Sequence, residues 1–183
     1  SDTWRVNVRV YANYHLARVQ ASFIESRFVN NTGRYGAGVF SQNCKMFLVE
    51  SCHAYNNKAL IQGGVLSILE SLFISIVGTI FKLNTAGTGG GVGIQLPDFL
   101  IISNCIFVQN FALDQEGGIH IETIYGKTST IIHVYNSYFS TQDSKTINMG
   151  QSSIALSIKD TEKFVIQYVK FEVSMTETFP MKT

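Results

Sequence analysis

The stretch Cys105-Ile-Phe-Val-Gln-Asn110-Phe-Ala112, followed after a short loop by Gly117-Gly118-Ile119-His120-Ile121, decides the fold because the chain repeats it. The motif Phe-x-x-Asn-x-Ala recurs upstream, with an alanine for the aromatic in one copy and a glycine for the final alanine in another. Its asparagines are Asn31, Asn57, Asn84 and Asn110, which lie 26, 27 and 26 residues apart. Each copy precedes glycines and a β-branched residue: Gly36-Ala37-Gly38-Val39, Gly63-Gly64-Val65, Gly90-Gly91-Val92 and Gly117-Gly118-Ile119. A fixed period of this length predicts a solenoid of stacked units.

Two apolar columns precede each motif. Seven residues before the anchor aromatic stand Ala21, Phe47, Ile74, Leu100, Ile132 and Phe164, and five before it stand Phe23, Val49, Ile76, Ile102, Val134 and Ile166. Every member of both columns is apolar, whereas their neighbours vary. A period-two pattern that recurs at the coil period predicts short parallel strands that share one core.

The anchor position and the asparagine position form two further columns. The anchor column reads Phe28, Ala54, Phe81, Phe107, Phe139 and Phe171, an aromatic stack with one gap. Since stacked coils are about 4.8 Å apart, each asparagine carboxamide can donate a hydrogen bond to the next. The pattern therefore predicts a buried ladder of Asn31, Asn57, Asn84 and Asn110, continued loosely by Gln142 and Ser174.

Composition limits the class of protein. The chain has 183 residues, of which 45% are hydrophobic and 15% charged, with a net charge of +1. These values exclude a disordered chain, and they provide no concentrated basic face for a nucleic acid. No apolar run is long enough to span a membrane as a helix. Three cysteines are an odd number, so they cannot all pair within the chain.

The repeat predicts one continuous domain over residues 1–183 with about six coils of 26–32 residues. Val6, Val8 and Val10 alternate with polar residues and match the strand that follows the glycines. We therefore expect the chain to start part-way through a coil of a longer solenoid, with further coils or another subunit against its N-terminal end. After Ile121 the period stretches, and the surplus forms a polar loop at Glu122–Thr128.

The combination of Phe-x-x-Asn with Gly-Gly and an aliphatic residue resembles the repeat of the polymorphic outer-membrane protein (Pmp) family. The resemblance covers residues 21–121 well and the remainder loosely. It implies a right-handed parallel β-helix at the cell surface or outside the cell, and it implies that such a chain acts as an adhesin. Here Val65, Val92 and Ile119 replace the alanine that usually follows Gly-Gly in the family.

Two functions from different classes follow. The first is a non-enzymatic adhesion or structural segment that binds a protein or glycan through its outer face. Its predicted binding strip consists of outward residues on neighbouring coils: Tyr55, Ile80, Ile106, Val108 and Tyr138. The alternative is a carbohydrate-active enzyme, either a polysaccharide lyase or a glycoside hydrolase. That chemistry needs carboxylates close together, and Asp114, Glu116 and Asp143 are the candidates.

The remaining reactive residues are expected to be structural or exposed. Cys52 and Cys105 share a column two coils apart, about 9.6 Å by strand spacing, which is too far for a disulfide. Cys52-His53 is too little for a metal site, and we expect no cofactor. His120 and His133 alternate with inward aliphatic residues, so we expect them at the surface. The Asn30-Asn31-Thr32 sequon makes Asn30 the candidate for glycosylation, since Asn31 belongs to the inward ladder.

Overall fold

A computed structural model describes residues 8–11, 19–115, 117–123, 130–142, 156–159 and 164–174. Within these ranges the chain forms 22 strands and no helix. The strands stack in parallel as a β-solenoid with four complete turns, preceded by one strand of an earlier coil and followed by strands of two partial coils. Two of its sheets contain one strand from each of the six coils expected from the sequence.

Four parallel sheets run along the solenoid, and each coil visits them in the order B, C, D, A. Sheet A contains β1 (Val8–Tyr11), β5 (Val39–Gln42), β9 (Leu66–Leu69), β13 (Val92–Gln95), β17 (Ile119–Glu122) and β20 (Leu156–Lys159). Sheet B contains β2 (Gln20–Ile24), β6 (Met46–Glu50), β10 (Phe73–Val77), β14 (Phe99–Ser103), β18 (Ile131–Tyr135) and β21 (Phe164–Gln167).

Sheets C and D complete the coil. Sheet C contains β3 (Arg27–Val29), β7 (His53–Tyr55), β11 (Ile80–Lys82), β15 (Ile106–Val108), β19 (Tyr138–Gln142) and β22 (Lys170–Ser174). Sheet D has four strands in the described ranges: β4 (Thr32–Tyr35), β8 (Lys58–Gln62), β12 (Thr85–Thr88) and β16 (Phe111–Gln115).

Single residues with positive φ turn the chain at each corner of the coil. The corner from sheet D to sheet A uses Gly36, Gly63 and Gly89, with φ of 46°, 63° and 61°. The corner from sheet C to sheet D uses Asn30, Asn56, Leu83 and Gln109, with φ of 52–55°. Glycine fits the first corner because a Cβ there would meet backbone; at Gly36 and Gly63 it would lie 1.9 Å from a carbonyl oxygen.

The positions of these corners correct the way in which the repeats were matched with one another. Gly63 is equivalent to Gly89, so the pair Gly63-Gly64 matches Gly89-Gly90 rather than Gly90-Gly91. Accordingly Leu66, and not Val65, pairs with Val92. The sequence pattern matches Gly63-Gly64 with Gly90-Gly91, which is one residue out of register. The third copy has three consecutive glycines, and the pattern does not show which two of them are equivalent to the pair in the second copy.

The core consists of the inward columns predicted from the sequence. The register pairs Phe47, Ile74 and Leu100 across successive coils of sheet B, and all three are fully buried. The anchor aromatics stack face to face, with ring centroids 4.7 Å apart for both Phe81–Phe107 and Phe107–Phe139. Ala54 interrupts this stack, and Phe28 instead packs edge-on against Phe23 at 5.7 Å. Burial of these columns supplies the main stabilisation of the solenoid.

The carboxamide ladder predicted from the sequence is present. Nδ2 of Asn31, Asn57 and Asn84 donates in each case to Oδ1 of the next asparagine, at 3.0, 2.9 and 2.9 Å. The same Oδ1 atoms also accept from the backbone N–H one coil earlier. The second hydrogen on Nδ2 of Asn57, Asn84 and Asn110 reaches the anchor carbonyl of the preceding coil. Each internal carboxamide is thereby fully used, as burial demands.

A second ladder follows the small residues two positions before the anchor. The Cys52 N–H donates to Oγ1 of Thr79 at 3.2 Å, and the Cys105 N–H donates to Oγ of Ser137 at 3.2 Å. Sγ of Cys52 plays the same part, since it accepts from the Ser26 N–H at 3.4 Å. Thiols and hydroxyls thus both supply an acceptor to the preceding coil.

The two ends of the solenoid differ from its middle. Oδ1 of Asn31 is buried and accepts no hydrogen bond within the described residues, because it is the first member of the ladder. At the other end, Phe164 and Phe171 occupy core columns yet are 54% and 52% exposed. The core columns of the central coils therefore continue into β21 and β22, where their apolar side chains are exposed.

Candidate binding surfaces

The predicted binding strip lies on the outer face of sheet C. The register places Ile80, Ile106 and Tyr138 one above another in β11, β15 and β19. Tyr55 and Val108 occupy the parallel column, where Lys82 separates them. Ile106 is 38% exposed and Tyr55 43% exposed, whereas the other three are half-buried. The strip is thus apolar along one column and interrupted by a cation along the other.

A charged pair limits the strip at its C-terminal end. The Tyr138 hydroxyl donates to Oε2 of Glu172 at 2.8 Å, and Nζ of Lys170 lies 3.3 Å from the same oxygen. The hydrogen bond from Tyr138, followed by the contacts with Lys170, lowers the pKa of the Glu172 carboxyl. Nζ of Lys170 is also 5.5 Å from the centroid of the Tyr138 ring, within the range of a cation–π contact.

Sheet B carries a more apolar outer face that the sequence analysis did not identify. Its outward columns contain six large apolar side chains on four coils, which we call the sheet B flank: Met46, Leu48, Phe73, Phe99, Ile101 and Ile131. The rings of Phe73 and Phe99 stack at 5.3 Å with an interplanar angle of 7°. These positions stand six and eight residues before the anchor column. Comparison of those columns alone would have revealed the flank.

The structure corrects the expected environment of His120. Its side chain points away from the core, as the alternation predicts, but only 4% of the residue is exposed. The outer face of sheet A is recessed at this point, because side chains of sheet D, among them Gln62, line the same cavity as His120. His133, by contrast, is half-buried on sheet B, where its ring lies 5.9 Å from that of Phe99.

The recess forms a groove between sheets A and D. A cavity of about 460 Å³ is lined by Tyr35, Phe40, Ile61, Gln62, Leu69, Thr88, Gln95, His120 and Glu122. Nε2 of Gln95 donates to Oε2 of Glu122 at 3.0 Å, and Nε2 of His120 is 3.8 Å from that oxygen. Two coils before Glu122, the Ser67 hydroxyl donates to Oε1 of Gln62 at 3.1 Å. Polar side chains in the groove are thus held in defined orientations.

Glycine at position 93 makes room for the floor of this groove. A Cβ on Gly93 would lie 2.4 Å from Cγ of Gln62. The Gln62 side chain therefore crosses from sheet D over the backbone of sheet A. This contact connects the two walls and buries Gln62 to 5% exposure.

The alternative catalytic carboxylates are only partly described. Asp114 is exposed on β16. Glu116 and Asp143 lie outside the described residues, as does most of the polar loop from Glu122 to Thr128. The described structure brings no second carboxylate of this set to Asp114.

The three cysteines are buried and unpaired. Thr79 lies between Cys52 and Cys105 in the register, which keeps them two coils apart. Sγ of Cys105 donates to the carbonyl oxygens of Ser103 and Ile76, and burial raises the pKa of this thiol to about 11. Burial also raises the pKa of Cys52. Cys44, which the sequence places between coils, is fully buried with its sulfur 3.0 Å from Oγ of Ser41.

Asn30 occupies the corner between sheets C and D. Its φ of 55° turns its side chain away from the ladder residue Asn31. Oδ1 of Asn30 accepts from Nδ2 of Asn56 at 2.8 Å in an exposed contact. That bond uses the oxygen of Asn30, whereas a glycan would be attached to its nitrogen.

The described ranges also bear on metal sites and membrane spans. Among those residues, no three His, Cys, Asp or Glu side chains converge in a way that could hold a metal ion. The same ranges contain no helix that is long and apolar enough to cross a membrane. No family model, curated protein or solved structure matches the chain.

Proposed function

We propose that this chain is a non-enzymatic segment of an adhesion or structural protein, placed outside the cell or at its surface. It binds a partner protein through the sheet B flank and the adjoining strip of sheet C. The observation that carries the proposal is the row of outward apolar side chains on successive coils, led by the stacked pair Phe73 and Phe99.

The interior gives such a surface a rigid support. The backbone N–H and C=O groups of each central strand bond to the coils on both sides. The flank is therefore presented by side chains alone, on a sheet that needs no further backbone partner. Aromatic and long aliphatic side chains are enriched at the centres of protein interfaces, whereas monomers seldom leave them in one contiguous patch.

The ends of the solenoid suggest a second contact. Oδ1 of Asn31 is placed to accept from a carboxamide and a backbone N–H, as its counterparts do in the later coils. We expect a further coil or another subunit to cover this end with a parallel strand and an asparagine or glutamine side chain. Such a cap would also cover the open edges of β2, β3 and β4.

Binding and catalysis are separated by two assays on one preparation. Beads coated with the protein are applied to cultured cells, and adhesion is counted for the wild type, Phe99→Lys and Ile106→Lys. We expect both substitutions to reduce adhesion strongly, because each places a charge in an apolar contact. Lys58→Ala is the control, because Lys58 is exposed on sheet D and loss of its charge there should leave adhesion intact.

The same protein is incubated with neutral and acidic polysaccharides, and the products are analysed for cleavage. The proposal predicts no turnover. Cleavage that Asp114→Asn or Asp143→Asn abolishes would establish the carbohydrate-active enzyme instead. Adhesion that survives both Phe99→Lys and Ile106→Lys would also overturn the proposed binding face.

A further inference from the structure

The groove between sheets A and D continues along the axis beyond the cavity already described. A second cavity of about 340 Å³, lined by Arg9, Arg34, Tyr35, Phe40 and Gln42, shares Tyr35 and Phe40 with the first. The combined groove passes over β1, β5, β9, β13 and β17. Four strand spacings amount to about 19 Å, so the groove suits an elongated ligand of several units.

Along the middle of the groove the backbone has no free edge for a peptide strand. β1 and β4, at its N-terminal end, lie at sheet edges, but a strand added there would stack on the end of the solenoid rather than lie along the groove. β5, β9 and β13 each pair with a strand on both sides, and so do β8 and β12 on the other wall. Addition of an extended peptide to a sheet requires unpaired N–H and C=O groups at an edge. Recognition of a ligand that lies along the groove must therefore come from side chains.

Those side chains provide donors, acceptors and aromatic rings in one recess. Gln95, Glu122 and His120 lie at one end, where their mutual contacts of 3.0 and 3.8 Å fix the carboxylate. The rings of Tyr35 and Phe40 lie at the junction of the two cavities, with centroids 5.8 Å apart and an interplanar angle of 53°. A sugar has hydroxyls that both donate and accept, together with an apolar C–H face that can stack on such rings.

The charges of the groove have opposite signs at its two ends. Arg9 and Arg34 are exposed at the N-terminal end, and Cζ of Arg34 is 6.0 Å from the centroid of the Tyr35 ring. Glu122 lies at the far end. A uniformly anionic polymer would place a negative group beside this carboxylate, which is unfavourable. A ligand with its acidic group at one end and neutral units beyond it matches both ends.

We propose that this groove binds an oligosaccharide with a terminal acidic sugar, whose carboxylate lies at Arg9 and Arg34 and whose neutral sugars lie along the groove towards Gln95 and Glu122. The site is distinct from the apolar flank on sheets B and C and does not depend on it. Arg34 supplies a planar, charge-assisted contact to the carboxylate. Tyr35 supplies the stacking surface.

Three probes of similar length test the proposal by calorimetric titration. Sialyl-lacto-N-tetraose has a terminal acidic sugar, lacto-N-tetraose is its neutral counterpart, and pentagalacturonate is acidic throughout. We expect the sialylated probe to bind. The affinity of each of the other two should be lower by about fivefold or by a larger factor. Equal affinity for the neutral probe, or absence of binding for all three at millimolar concentration, would overturn the proposal.

Matched variants locate the site. Tyr35→Ala should weaken binding of the sialylated probe about three- to tenfold, whereas Tyr55→Ala, of similar exposure on sheet C, should not change it. Arg34→Gln should weaken it to the level of the neutral probe, whereas Arg27→Gln, also exposed, should leave it unchanged. The reverse pattern, with Tyr55 and Arg27 as the sensitive residues, would assign the glycan to sheet C.

Amide shifts of the wild-type protein provide a check that needs no substitution. Addition of the sialylated probe should shift the N–H resonances of Gly93, Gln95 and Glu122 in the groove. Those of Ile80 and Ile106 should stay in place. Shifts confined to the sheet C residues would contradict the groove site and leave the flank proposal standing.

Discussion

The outer faces of sheets A and B come from the same alternation, yet they differ in what they offer a ligand. On sheet B the outward residues form an open apolar flank, where Phe73 stacks on Phe99. On sheet A the outward residues lie in a recess, where His120 is 4% exposed beside Glu122. The difference arises because side chains of sheet D flank this face and the Gln62 side chain reaches across the backbone of sheet A. Outward orientation is therefore a property of the strand, whereas exposure is a property of its neighbours.

The substitution with the largest expected effect on stability disturbs both outer faces together, because the same interior supports both. Asn84→Leu removes four side-chain bonds, to the N–H and Nδ2 of Asn57, to Oδ1 of Asn110 and to the carbonyl of Ala54. We expect a loss of about 3–5 kcal/mol in the free energy of unfolding, measured by denaturant titration. Lys82→Leu, the same new side chain on the exterior of that coil, should stay within about 0.5 kcal/mol. Equal stability of the two variants would mean that the ladder is not a stabilising unit.

The interior beneath the flank makes a pH-dependent contribution to stability. The pKa of the Cys105 thiol is raised from 9.0 to about 11 in the folded protein, so folding favours the protonated form. Its contribution is fully present below pH 9 and is lost as the pH rises towards 11, by about 2–3 kcal/mol. Cys105→Ser should lack this loss, because a serine hydroxyl does not ionise over this pH range. The fold should accept the change, since Ser137 supplies a hydroxyl at the same position of the next coil. Parallel stability curves for the two proteins over this pH range would contradict the assignment.

A smaller effect is expected at the groove floor. Gly93→Ala should destabilise the protein by about 1–2 kcal/mol, because its Cβ would displace Gln62. Adding Gln62→Ala should restore part of the loss, since the displaced side chain is then absent. A double-mutant cycle on thermal or denaturant unfolding measures this coupling. Additive effects would show that Gln62 does not cross the groove.

The smallest effect on stability is expected on the flank. Phe99→Lys lies on an outer column of sheet B and should change the free energy of unfolding by no more than about 1 kcal/mol, even as it removes adhesion. Phe107→Lys, a fully buried anchor on the same coil, provides the contrast. A melt in which Phe99→Lys unfolds as readily as Phe107→Lys would mean that the flank is part of the core.

The sequence predicted the interior more completely than the exterior. Inward columns are constrained by stacking at one strand spacing, so Asn57 and Phe81 have the same environment as their counterparts a coil away. The repeated residues therefore predict the ladder and the aromatic stack. The environment of His120 depends on side chains of the neighbouring sheet D. The repeat pattern does not predict how the side chains of one sheet are placed over another sheet. The register at Leu66 was missed because adjacent glycines look alike, although only one of them takes the positive φ.

Chemical modification of histidines tests the contrast between the faces most directly. His53 and His120 both point outward from a strand, but His53 is exposed on sheet C and His120 is recessed in the groove. With diethyl pyrocarbonate and peptide mass spectrometry, we expect rapid modification of His53 and protection of His120 in the native protein. In denaturant the two should react at the same rate. Modification of native His120 as fast as His53 would contradict the recessed groove, and with it the separation of the two faces.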